Sequence, residues 1–102
     1  MTNDELAISV VAKATGVSKS KILSPSRRWI YVEARMLLIL LLSDEGAIDE
    51  RIGWVIGRSR PTVTKSRHTA YGLTLYSASF RDKYNKIKSD YHEQKSLRLS
   101  QA

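Results

Sequence analysis

The sequence predicts an all-α fold, a compact helical bundle with a helix-turn-helix and a long C-terminal helix, on three observations. Residues 36–42 form an unbroken apolar run, as suits a central helix buried nearly all round. Leu73, Tyr76, Phe80, Tyr84, Ile87 and Tyr91 recur at intervals of three and four residues, the helical period. Between them, Gly57 separates two short helical patterns, the arrangement of a helix-turn-helix.

Taken in order, Asn3 or Thr2 can cap a first helix, because a side-chain oxygen there accepts from free backbone N–H groups; Asp4 and Glu5 favour the positive helix end. Leu6, Ile8, Val10, Val11 and Ala14 give that helix a broad apolar stripe to about Thr15, and Gly16 supplies a left-handed stop. Val17 should tuck back onto the core, and Ser18 can cap a short turn through Leu23. Residues 24–28, Ser-Pro-Ser-Arg-Arg, then read as a loop, since proline disfavours helical geometry in the residue before it. The central helix is expected over residues 31–43, with Gly46 ending it. A short helix over 50–56, opened by Asp49, puts Ile52, Val55 and Ile56 on one face; Gly57 breaks it, and Ser59 with Pro61 restarts a helix. The C-terminal helix is expected to kink near Gly72 and to fray from about Gln94. One domain over residues 1–93 with a tail over 94–102 follows.

Composition narrows the class. A length of 102 residues holds one domain and one modest core. The longest apolar run is far short of the roughly 20 residues that span a bilayer, so no membrane partner is expected. No basic region followed by an apolar stretch opens the chain, and there is no cysteine. Disulfides, thiolate metal sites and cysteine nucleophiles are thereby excluded, and a cytoplasmic location is expected. The net charge of +7 draws polyanions such as nucleic acid. Its distribution is sided. No acidic residue lies between Leu6 and Val32, a stretch holding Lys13, Lys19, Lys21, Arg27 and Arg28, and none lies between Arg51 and Arg81. Asp44, Glu45, Asp49 and Glu50 form an acidic elbow between these two basic segments.

Residues 52–65 supply the parts of a DNA-reading helix-turn-helix in order: an apolar first helix, a turn glycine, and a second helix with a polar, basic N-terminal end. Gly57 would make the turn and Ser59 the cap. Val63, Ser66 or Arg67, and Ala70 would face inward. Arg60, Thr64, Lys65 and His68 would face outward, with Thr62 at the tip and Arg58 and Pro61 completing the segment. Arginine can bond guanine bidentately, threonine offers a hydroxyl and a methyl, and helix N-terminal N–H groups suit phosphate. The loop at residues 24–28 is a second acid-free basic element, carrying Arg27 and Arg28.

The chain resembles the C-terminal DNA-binding domain of the bacterial replication initiator DnaA, a Trp-repressor-like helix-turn-helix, from about residue 6 to residue 90. The resemblance rests on Val10-Val11-Ala12 with Gly16-Val17-Ser18, Ile22-Leu23-Ser24 before the basic loop, and Ala34-Arg35 opening the apolar helix. It is strongest at Ile52-Gly53, Gly57-Arg58 and Thr62-Val63. It implies that the loop inserts an arginine into the minor groove, with Arg27 the matching position and Arg28 its substitute if the loop is shifted by one. It also implies that Arg35 contacts the backbone or a base, and that Ser59, Arg60, Pro61 and Thr62 form the reading tip. The family's tip signature is Asp-His-Thr-Thr, of which only the last threonine is kept. No Gly-x-x-x-x-Gly-Lys-Ser/Thr loop occurs in the sequence, so a free-standing relative without the ATPase module is expected, a regulator associated with replication or a mobile element. Double-stranded DNA is the expected partner, and no cofactor and no enzymatic activity are expected.

His68 and His92 lack metal-ligand spacing. The acidic pairs Asp44 with Glu45 and Asp49 with Glu50 sit at helix ends, where capping and solvation account for them. Trp29 and Tyr31 could stack on a base, but core packing is the favoured reading. Trp54 lies off the apolar face of its helix, as a second-layer core residue or a partner contact. The tyrosine-rich C-terminal stripe offers the main alternative function, a homodimer or protein-interaction module, against packing across its own bundle. Asp82 and Asp90 weaken a membrane-surface role for Lys83, Lys86 and Lys88.

Overall fold

The computed structural model describes residues 2–100, which form six helices and no strand. Helix α1 spans Asn3–Thr15; the Thr2 hydroxyl accepts from Glu5 N–H at its start, and Gly16, at φ 72°, ends it in the left-handed conformation. Helix α2, Lys19–Ile22, is a single turn capped by Ser18. Residues 24–28 then form a loop, and α3 spans Trp29–Asp44, opening two residues earlier than the periodicity indicates. Helix α4 spans Asp49–Ile56, α5 spans Arg60–Tyr76, and α6 spans Ala78–Ser100.

Helix α3 is the hub. It packs against each of the other five helices, and every residue from Met36 to Leu42 is buried. A helix apolar on all sides needs neighbours on all sides, and each large apolar side chain buried there contributes about 1.5–3 kcal/mol. Leu6, Ala7, Ile8, Val10 and Val11 of α1 cover one side, and Ile52 and Ile56 of α4 with Val63 and Ala70 of α5 cover another.

The C-terminal stripe divides at its first members. Phe80, Tyr84, Ile87 and Tyr91 are buried against the chain's own bundle, whereas Tyr76, at the end of α5, is 89% exposed. Tyr84 anchors the packing by donating its hydroxyl to the Asp44 carboxylate, with the Leu40 carbonyl 3.2 Å from the same oxygen. Burial and that carboxylate push the phenol well above its ordinary range.

Two boundaries differ from the sequence-based expectation. The break falls at Ser77, not Gly72. Ser77 is extended (φ −120°, ψ 107°), its N–H closes on the Leu73 carbonyl, and its hydroxyl accepts from Phe80 N–H at 3.2 Å. One serine thus ends α5 and starts α6, while Gly72 sits unbroken inside α5. The expected frayed tail is helical as far as Ser100, with Lys95 reaching Glu45 (3.5 Å) and Arg98 donating to Asn3 Oδ1 (3.4 Å). Residues 101–102 of that tail lie outside the described residues.

Candidate nucleic-acid interface

Helices α4 and α5 are joined by residues 57–59. Gly57 takes φ 72°, and the Arg58 N–H returns to the Gly53 carbonyl at 2.9 Å, closing the first helix. Ser59 stands at the N-cap of α5 with extended backbone and Pro61 follows in its first turn. The expected cap bond is not made. The Ser59 hydroxyl instead donates to Thr62 Oγ1 at 3.0 Å, which leaves the first N–H groups of α5 without a side-chain acceptor.

The angle between the two helices is held by Asp49. Its carboxylate accepts from Arg67 Nε (2.8 Å), Arg67 Nη2 (2.9 Å) and the Thr64 hydroxyl (2.7 Å). These bonds hold the Asp49 carboxyl below the ordinary carboxylate range and raise Arg67 in turn. Asp49 therefore does more than open its helix, and Thr64, expected to face a ligand, has its hydroxyl committed to Asp49.

Serines shape the basic loop. Ser24 Oγ donates to the Lys21 carbonyl (2.7 Å) and accepts from Ser26 N–H, and Ser26 Oγ accepts from Arg28 N–H (3.3 Å). Each bond replaces one that a helix would have made, so the segment is ordered without being helical. Arg28 lies over Tyr31 at 5.8 Å from the ring centroid, as does Lys21. Arg27, by contrast, is exposed and makes no ion pair or side-chain hydrogen bond among the described residues. Of the two adjacent arginines, Arg27 is the one that projects.

Two other expected contact residues turn inward. Arg35 donates to the carbonyls of Ile22 (2.8 Å), Ser24 (2.7 Å) and Ser26 (3.4 Å). Arg58 donates to the carbonyls of Ser24 (2.5 Å), Ile56 (3.1 Å), Leu23 (3.4 Å) and Gly57 (3.4 Å). In each, part of the guanidinium is committed to these carbonyls. Their positive charges lie side by side on the Ser24 carbonyl, and burial, with Arg58 beside it, lowers the Arg35 pKa.

Arg58 brings the two basic elements together, since it belongs to the turn and holds the loop. Around this junction Lys19, Arg27, Arg60 and Lys65 are exposed with no acidic ion-pair partner among the described residues, and His68 is exposed within the field of Asp49. Four of the acids are engaged elsewhere: Asp4 with Arg51, Glu33 with Lys83, Asp44 with Lys88, and Glu45 with His92 and Lys95. On α6, Lys83, Lys88, His92 and Lys95 meet these acids, whereas Arg27 of the loop and Arg60 and Lys65 of α5 make no ion pair among the described residues. One acid remains near the tip, Glu50, which lines a shallow depression with Ile48, Asp49, Arg60 and Thr64.

The aromatic side chains beside these elements correct the core reading. Trp29 is 57% exposed, and Trp54, at 76%, is no second-layer core residue; Tyr31 alone packs partly against the core. Trp29 shares its helical phase with the buried Met36 and Leu40, but it stands at the first position of α3, beyond the packed part of the helix, a difference that periodicity alone does not reveal. No group of His, Asp or Glu able to hold a metal ion occurs among the described residues, and no helix there is long and apolar enough to cross a membrane. No protein-family model matches the chain, and no curated protein matches it.

Proposed function

We propose that the chain binds duplex DNA, with the tip of α5 in the major groove and the basic loop on the adjacent groove or backbone. The observation that carries this reading is the junction of two acid-free basic elements on one side of the molecule, joined through Arg58 and Ser24. A side bearing unpaired cations attracts phosphate at a distance, and counterion release makes that attraction strong at low salt. Arg60 and Thr62 at the α5 tip suit base edges, Ser59 and Pro61 complete that tip, and Lys65 and His68 farther along suit the phosphate backbone. Arg27 is the loop residue free to enter a minor groove. The free N–H groups at the start of α5 add donors for a phosphate.

Within this reading the domain is a relative of the DnaA C-terminal domain. Its tip, Ser59-Arg60-Pro61-Thr62, would select a site other than that family's usual one. It serves as a regulator in replication or in a mobile element, without chemistry of its own. The interaction-module alternative loses its main support, because Phe80, Tyr84, Ile87 and Tyr91 are buried in the chain's own core. Amide chemical-shift mapping against a random-sequence duplex tests the proposal. Perturbations confined to residues 24–28 and 58–68 are expected; perturbations centred on α6, or none at all, would refute it.

A further inference from the structure

The arginine pair at the junction has a geometry that direct DNA contact does not explain. Helix α2 is a single turn and α4 has eight residues, so each leaves C-terminal carbonyls without intrahelical partners. Arg58 gathers carbonyls from both ends, Leu23 and Ser24 after α2, and Ile56 and Gly57 after α4. Arg35, from the body of the central helix, takes Ile22, Ser24 and Ser26 of the same loop. A guanidinium presents five donors in a rigid fork, which is what several carbonyls arrayed around one point require. Because the acceptors are neutral carbonyls, the clamp forms without cancelling the positive charge of either arginine.

We propose that Arg58 and Arg35 are positioning residues that lock the basic loop to the turn of the helix-turn-helix, so that Arg27 and the α5 tip meet a duplex as one rigid surface. The inference rests on the DNA-binding reading for its purpose, but the clamp itself can be tested without DNA. A free loop would lose its conformational freedom on binding and weaken association; a loop already held does not. The two arginines lie beside the contact surface and set its shape, while Arg27, Arg60 and Lys65 make the contacts.

The first measurement is backbone ¹⁵N relaxation on the unbound wild-type chain and on Arg58→Gln and Arg35→Gln. The order parameters of Ser26, Arg27 and Arg28 are expected near 0.85 in the wild type and below about 0.6 in each variant, with the α3 amides unchanged. Unchanged loop order in both variants would overturn the clamp. The second measurement is duplex affinity as a function of salt. Arg58→Gln should weaken binding about tenfold while keeping the wild-type salt slope, because no phosphate contact is removed. A slope reduced as much as in Arg27→Ala would make Arg58 a contact residue and overturn the assignment. Arg58→Lys keeps the charge but cannot fork, and should behave like Arg58→Gln; full rescue by lysine would contradict the geometric argument. If the wild type binds no duplex, the functional reading fails, and the relaxation experiment still decides the clamp.

Discussion

A Cβ placed on Gly53 would stand 2.5 Å from the carbonyl oxygen of Arg58. The first helix of the helix-turn-helix and its turn therefore meet backbone to backbone, and the same pair is joined by the Arg58 N–H to Gly53 carbonyl bond. Because the obstructing atom belongs to the main chain, it cannot swing away as a side chain would.

Gly53→Ala is accordingly expected to destabilise the domain by about 1–3 kcal/mol, the range for overpacking a close contact. It should also shift the turn that carries Arg58. Thermal denaturation gives the first effect, and amide shifts at residues 57–60 give the second. An alanine variant as stable as the wild type would show that the turn relaxes freely.

The Asp49–Arg67 pair gives a pH prediction. Since the Asp49 carboxyl is held below its ordinary value of 3.8, the unfolded chain binds the proton more readily than the folded one. The stabilisation is therefore present above about pH 4 and lost as pH falls through the folded-state pKa. Asp49→Asn should lower the melting temperature at pH 7 by roughly 4 °C, from the loss of on the order of 1 kcal/mol of charge-assisted hydrogen bonding. The gap between variant and wild type should narrow toward pH 3. A gap independent of pH would show that the ion pair is not its source.

Arg27, Lys65 and Arg60 should separate by role. Arg27→Ala and Lys65→Ala are expected to weaken binding to all duplexes and to reduce the salt slope by about 1 each, as removal of one phosphate contact does. Arg60→Ala should instead change which sequences are enriched from a random pool, at a cost of about 1–3 kcal/mol on the preferred one. Equal losses from all three substitutions on every sequence would contradict the division.

Removing residues 94–102 should cost no more than about 1 kcal/mol. The buried stripe ends at Tyr91, and beyond it contacts such as Lys95 with Glu45 and Arg98 with Asn3 join partly exposed side chains, where such pairs contribute little. A large drop in melting temperature would place part of the core in that last stretch of α6.

Much of the architecture was legible because its signals are local. Thr2 and Ser18 cap the helices they precede, and Gly16 and Gly57 end theirs in the left-handed conformation that glycine adopts most readily. The α5–α6 break was less legible. A glycine inside a helix costs only about 1 kcal/mol, so Gly72 is tolerated, while Ser77 acts through a cap bond to Phe80 that the apolar repeat conceals. For the candidate interface, sequence located the basic elements but not their division of labour. Arg35, Arg58 and Thr64 read as surface donors because their acceptors, the carbonyls of residues 22–26 and the Asp49 carboxylate, approach only through tertiary packing. Arg27 and Arg60 kept the exposed places expected of them.

The most direct test of the central claim is the salt dependence of duplex binding by the intact chain, followed by fluorescence anisotropy on a random-sequence duplex. If the unpaired cations of the loop and the α5 tip engage four to six phosphates, the logarithm of affinity should fall linearly with the logarithm of salt, with a slope of about −4 to −5. No binding at low salt, or binding with a slope near zero, would contradict the account.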